Sequence, residues 1–179
     1  MIEHHVKTDR RRMAIVVVAL GAVGTTGAME IAGAASVPSA TASAVFSPHE
    51  KEAARLLKLV NRARSAAGCS PLKANAKLAK AARKHSADMA SHRNMSHTGS
   101  DGSDPGDRIK HAGYDRNAYG ENVARGYTTP ESVMAGWMSS PDHKRNILDC
   151  SFKEIGVGLA QPGNYWTQDF GQPDRQSAR

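Results

Sequence analysis

The sequence predicts an α+β domain in which helices lie on either side of a small antiparallel sheet. Capped segments with a helical apolar period recur between Ser47 and Ser140. A strand-like run, Tyr119 to Arg125, interrupts them. Two more strands close the chain, Ile155 to Ala160 and Tyr165 to Phe170, with Pro162-Gly163-Asn164 as the turn between them. Each helix has one apolar stripe to bury, and a sheet covered on both faces buries these stripes economically.

The chain begins with the features of an export signal. Lys7, Arg10, Arg11 and Arg12 form a basic region, and Met13 to Val23 an apolar one. Small residues follow, and the Ala-x-Ala patterns at Ala32-Gly33-Ala34 and Ala42-Ser43-Ala44 place cleavage after Ala34 or Ala44. The apolar run is shorter than the ~20 residues of a spanning helix, which favours a removable leader over a membrane anchor. The flanks of Arg10-Arg11-Arg12 fit a twin-arginine signal poorly, and no cysteine follows for a lipid anchor. The domains read as a signal peptide over 1–34, a flexible Ala/Ser/Thr/Pro-rich linker over 35–46, a folded domain over 47–171 and a disordered tail over 172–179.

The first helix opens on Ser47-Pro48-His49-Glu50, with Ser as cap, Pro at the first helical position and Glu in the capping-box place. Its apolar face runs Ala53, Leu56, Leu57, Val60, Ala63 and Ala67, and Gly68 ends it. A second helix spans about Asn75 to Ser91, with Leu78, Ala79, Ala82 and Met89 inward. After a turn-rich loop, Asp104-Pro105 opens a third, which ends at Gly113. Thr129-Pro130-Glu131 caps a fourth carrying Val133, Met134 and Trp137 on one side. Ser140-Pro141 breaks it, and a short turn is expected to reach Ile147-Leu148. Trp137 and Trp166 are expected in the core, each seeking a partner for its indole N–H.

Composition narrows the partners. The net charge is +7, and removal of the leader to Ala44 leaves +6 on a single domain of 135 residues. Only 5% of residues are aromatic, too few to interleave with the basic ones as a nucleic-acid stacking platform does. The charge suits loose attraction to anionic wall polymers or lipid surfaces. Cys69 and Cys150 are the two cysteines, and in an oxidising compartment they are expected to pair.

Candidate chemistry gathers around Tyr119-Gly120-Glu121-Asn122-Val123-Ala124, with His97 upstream and His143 and Tyr165-Trp166-Thr167-Gln168 downstream. These residues define an expected polar cleft of His97, Glu121, His143, Tyr165 and Gln168. The arrangement resembles the CAP superfamily, or SCP domains, of the cysteine-rich secretory, antigen 5 and pathogenesis-related type. The resemblance covers about Ser47 to Gly171 and implies a three-layer α-β-α sandwich in a secreted, extracellular bacterial protein. Large members of that family carry two His and two acids in the cleft. His97 and Glu121 match the first of each. Ser140 stands where the second acid is expected, and Tyr165 where the second histidine is. Bacterial relatives carry a histidine in a stretch like Ser140-Pro141-Asp142-His143-Lys144-Arg145-Asn146-Ile147-Leu148, and His143 fits that.

Two imidazoles and a carboxylate suit a divalent metal such as zinc with a water in the fourth place. No His-Glu-x-x-His or Cys-x-x-Cys spacing specifies one, and the same groups also suit a hydrogen-bonded network that orders loops. His85 and His92, two turns apart, read as surface or groove residues. No Gly-x-Ser-x-Gly elbow is present. The leading reading is a monomeric binding module without strong catalysis, for an apolar ligand, a cell-envelope component or a protein partner. The alternative is a secreted metal-dependent hydrolase with His97 and His143 as ligands and Glu121 as ligand or general base. A third reading is a disulfide-bonded scaffold that displays the loop from His97 to Asp107.

Overall fold

The computed structural model describes residues 5–8 and 48–174. The apolar leader segment, both cleavage positions, the linker, the Ser47 cap and the last five residues lie outside the described residues. The elements are β1 (His5–Thr8), α1 (Pro48–Ala66), β2 (Lys73–Ala74), α2 (Ala76–His92), α3 (Pro105–His111), β3 (Arg116–Arg125), α4 (Pro130–Ser139), α5 (Pro141–Leu148), β4 (Glu154–Ala160) and β5 (Tyr165–Pro173). They form one sheet in the order β1-β3-β5-β4-β2. All neighbours are antiparallel except the two-residue β2, which joins β4 in parallel. The mixed α+β sandwich expected from the sequence is the fold observed, and β2 is the one strand missing from the expectation between residues 48 and 174.

Strand alternation divides the sheet into two unlike faces. Ala124, Ile155, Val157, Trp166 and Phe170 turn to one side and join Leu56 and Val60 of α1, Val133 and Trp137 of α4 and Ile147 of α5 in the largest apolar cluster. Each such fully buried side chain contributes roughly 1.5–3 kcal/mol relative to exposure. Both tryptophans sit here with their N–H groups satisfied, Trp137 by the Val123 carbonyl and Trp166 by that of Tyr127. The other face, with Tyr119, Glu121, Val123, Tyr165, Thr167 and Asp169, lies under α2 and α3.

That second layer is held close by glycine. A Cβ on Gly156 would fall 2.1 Å from the backbone of Leu78 and Ala79, and one on Gly158 2.3 Å from the Ala82 carbonyl. The α2 backbone therefore rests on β4 with no side chain between them.

Cap signals predicted the helix starts well. Asn75 accepts from the amides of Lys77 and Leu78, and Asp104 and Thr129 each form a capping box with a proline inside the first turn. Four expectations need correction. The segment after Ser140 is the helix α5 rather than a short turn, because Pro141 starts a helix as readily as it ends one. Ala67 is exposed, and Arg64 from the same helix is fully buried instead. Ala79 is only half-buried, while Ala81, His85 and Ser86 of α2 turn fully inward. β5 also runs on to Pro173, past the expected end of the folded domain at Gly171.

Cys69 and Cys150 form a disulfide with their Cα atoms 5.0 Å apart, 81 positions apart in sequence. Closing a loop of that length stabilises by roughly 4 kcal/mol in the chain-entropy model. Arg64 works at the same place. Its guanidinium donates to the carbonyls of Ser70, Ile147, Asp149 and Phe152, which ties the end of α1 to the segment after α5.

Candidate functional site

Glu121 lies at the centre of β3 with no exposed surface. An ionised carboxylate buried this deeply needs donors, and two neighbouring elements supply them. His97, on the loop after α2, places Nδ1 2.6 Å from Oε1. Glu121 can only accept when ionised, so Nδ1 is the donor. Arg108 of α3 donates from Nη2 to Oε2 at 2.7 Å and from Nη1 to the Ser103 carbonyl at 2.8 Å. Nε2 of His85, from α2, stands 3.9 Å from Oε1 and 2.8 Å from the Ser96 carbonyl. One carboxylate thus holds both ends of the loop between α2 and α3, and Asp88 holds its middle through the Ser100 amide and hydroxyl.

Directly across the ladder from Glu121 is Asp169. Burial pushes its carboxyl well above the ordinary range, and the charge of Glu121 adds to that. Asp169 is therefore held toward its neutral form beside Glu121. Glu121 moves the other way: burial opposes its ionisation, but the His97 hydrogen bond and the Arg108 charge outweigh this and hold its pKa below the usual value. His85 is held neutral by burial despite the pull of Glu121. The result is one buried carboxylate held against one guanidinium.

The structure brings only some of the expected cleft residues together. His97 and Glu121 are bonded directly. His143, on α5, packs edge-on to Trp137 at 6.4 Å on the other side of the sheet, where its carbonyl accepts from Asn122. Gln168 shares that face and also accepts from Asn122. Asn146 donates to the Asn122 side chain and to the Glu121 carbonyl. Tyr165 lies on the Glu121 face but four residues along β5 from Asp169, roughly 13 Å away at strand rise. It packs with Met89 and Val123 beneath Arg125. His92 is exposed as expected, whereas His85 is buried at the wall of a cavity.

Arg108, Asp169, His85 and Asn146 complete the arrangement and escaped the sequence reading. Asp169 had a readable signal, since it alternates with Thr167 on the strand that faces Glu121. Arg108 had none, because a basic residue on a short helix reads as surface. Among the described residues, no group of three or more His, Cys, Asp or Glu is placed to hold a metal ion.

Two cavities lie beside the sheet. One of about 300 Å³ lies between α2, the loop and α3 and opens onto this network, with Lys80, Lys84, His85, Asp88, Asp101 and Arg108 among its walls. The other, of about 310 Å³, lies at the β2–β4 end of the sheet between α1 and α2. Ala53, Ala54, Leu57, Ala79, Ile155 and Val157 give it an apolar lining, and Lys51, Arg83 and Glu50 stand at it as the charged groups.

Comparison with known proteins bears on the family and the fold. The chain is 37% identical to YkwD, an uncharacterized protein of Bacillus subtilis (strain 168), over 130 residues, which are 73% of this chain and 49% of YkwD. It is 29% identical over 116 residues to YlbC, an uncharacterized membrane protein of the same organism, covering 65% of this chain and 33% of YlbC. The chain thus spans half or less of the length of these relatives. Among solved structures, an extracellular SCP-domain protein of Bacillus anthracis str. Ames superposes with a TM-score of 0.67 at 26% identity, over 71% of this chain and 44% of that one. An outer surface protein of Borrelia burgdorferi shares the fold with a TM-score of 0.63 at 23% identity, over 68% of this chain and 92% of its own. The sequence pattern of the cysteine-rich secretory protein family, CAP, matches residues 57–170, and the chain belongs to that family.

Proposed function

We propose that the domain is an exported, monomeric binding module that holds an acyl-chain amphiphile of the cell envelope in the groove between α1 and α2. The observation that carries this is the groove itself. Its volume of about 310 Å³ is within the range of small-molecule sites, roughly 300–1,000 Å³. Its lining is aliphatic, and Lys51 and Arg83 outweigh Glu50 beside it, which favours an anionic head group. The extracellular and outer-surface settings of the two structural neighbours support export. Among the described residues no helix is long and apolar enough to cross a membrane.

The Glu121 network serves this function as architecture. It fixes the loop between α2 and α3, and both carboxylate oxygens of Glu121 already accept from donors. Displacement of a fluorescent fatty acid from the purified protein by palmitate tests the proposal. Saturable one-to-one displacement is expected, and absence of any binding from a folded sample overturns it. The metal-dependent hydrolase reading makes a different demand. It requires one equivalent of zinc, lost in His97→Ala and His143→Ala, and no observation in the site favours it.

A further inference from the structure

The opposite edge of the sheet carries a second binding feature. β1 lies antiparallel on β3, with His5 opposite Glu121, Val6 opposite Gly120, Lys7 opposite Tyr119 and Thr8 opposite Ala118. These four residues belong to the basic part of the expected leader, ahead of its apolar run. A chain that has lost the leader has lost β1. β3 is then an edge strand, and those of its outward backbone groups that Asn146 and Trp137 do not reach need a new partner.

Side chains of Trp137 and Asn146 cover the edge at Val123 and Glu121, and the stretch before them is open to strand pairing. From Ala118 to Ala124 the edge contains no lysine and no proline, and its one irregularity lies earlier, between Arg116 and Ala118. The direction of its free groups can be read from the bonds around it. The Gly126 amide continues the ladder to the Asn164 carbonyl, so even-numbered residues of β3 turn their backbone groups toward β5. The carbonyls of Glu121 and Val123 point the other way and meet Asn146 and Trp137 beyond the edge. Tyr119 and Glu121 are therefore the outward-bonding positions, and the stretch before Asn146 is where a strand can add.

We propose that β3 is an acceptor for an extended peptide segment of a partner protein, which adds as an antiparallel strand along Ala118 to Glu121 in the place β1 holds in the full chain. Recognition is by main-chain hydrogen bonds at Tyr119 and Glu121. Gly120 has no side chain to crowd the residue opposite it, so a β-branched residue fits at that register, where the chain's own segment has Val6. The site is at the far edge of the sheet from the apolar groove and stands or falls separately from the amphiphile reading.

The test uses a chain beginning at Phe46, which retains every member of the three buried apolar clusters and the disulfide. The probe is a synthetic peptide of residues 2–9 of this sequence. Saturable binding to the shortened chain is expected, with at least tenfold weaker binding to the full chain, where β1 already fills the edge. N-methylation at the peptide's His5 and Lys7 positions removes amides that face β3 and should weaken binding at least tenfold. The same change at Val6 and Thr8 should leave it within a few-fold. No binding to a shortened chain with a cooperative melting transition overturns the proposal, as does equal loss from both N-methylated sets. Palmitate displacement on the same sample reports separately on the groove.

Discussion

Glu121 is stabilised by donors from His97 and Arg108 and lies across the ladder from Asp169, and two substitutions separate the parts these neighbours play. Glu121→Gln leaves the Arg108 guanidinium, whose side chain is 10% exposed, without its counter-charge. Breaking a buried pair from one side costs roughly 3–5 kcal/mol. The expected readout is a large fall in denaturant midpoint, with faster amide exchange from Met95 to Ser103 than in the rest of the folded domain. An unchanged midpoint would mean that the network does not hold the loop. Asp169→Asn should act with the opposite sign. Its folded pKa is raised, first by burial and then by Glu121. Below the unfolded value of about 3.9 both states hold the proton, and no stability difference arises. Above it the unfolded chain releases the proton while the folded one retains it, which penalises folding as pH rises. Asparagine removes that penalty, so the melting temperature of Asp169→Asn should exceed that of the parent at pH 7 and converge on it near pH 4. A variant less stable at both pH values would show that Asp169 contributes as an ionised acceptor.

At the scale of elements, what could be read in the sequence and what could not have distinct physical causes. Caps and prolines act within one turn, so the starts of α2, α3 and α4 were legible from Asn75, Asp104-Pro105 and Thr129-Pro130. Aliphatic periodicity placed Leu56, Val60, Val133 and Trp137 correctly for the same local reason. Arg64 was not legible, because a buried arginine is justified only by its acceptors, and Ile147, Asp149 and Phe152 lie more than eighty residues away. Nor was the role of Gly156 and Gly158, which have meaning only once α2 lies on β4. His97 and Glu121 stood out as chemistry-bearing types, but Arg108 and Asp169 join them only through the packing of α3 and the β3–β5 register. The Arg64 assignment yields its own test. Arg64→Met keeps the stem and leaves four carbonyls without their donor, two of them on hydrogen bonds that are fully buried. A loss of at least about 3 kcal/mol is expected from the sum of buried acceptors at ~1–3 kcal/mol each. Lysine, a single ammonium in place of the fork, should recover little of it. Full stability in Arg64→Lys would show that charge alone suffices there.

The whole molecule separates its polar network from its open surfaces. The polar cluster most conspicuous in the sequence is buried at the centre of the sheet, with His85 and Arg108 at the wall of the cavity beside α2 and α3, and the two proposed binding features lie at the ends of the sheet: an apolar groove beside β2 and β4, and a strand edge at β3. A buried carboxylate bonded to donors from two elements is suited to holding a scaffold. An open aliphatic groove is suited to taking up a ligand. The measurement that tests this division most directly is palmitate affinity in Ala54→Trp beside Glu121→Gln. Ala54 is exposed and lines the groove, so an indole there fills the cavity without disturbing the core. Ala54→Trp should melt like the parent and bind palmitate at least tenfold more weakly, a loss of about 1.4 kcal/mol. The folded fraction of Glu121→Gln should bind it normally. Parental affinity in Ala54→Trp, or binding abolished in folded Glu121→Gln, would contradict the account and return the ligand site to the Glu121 network.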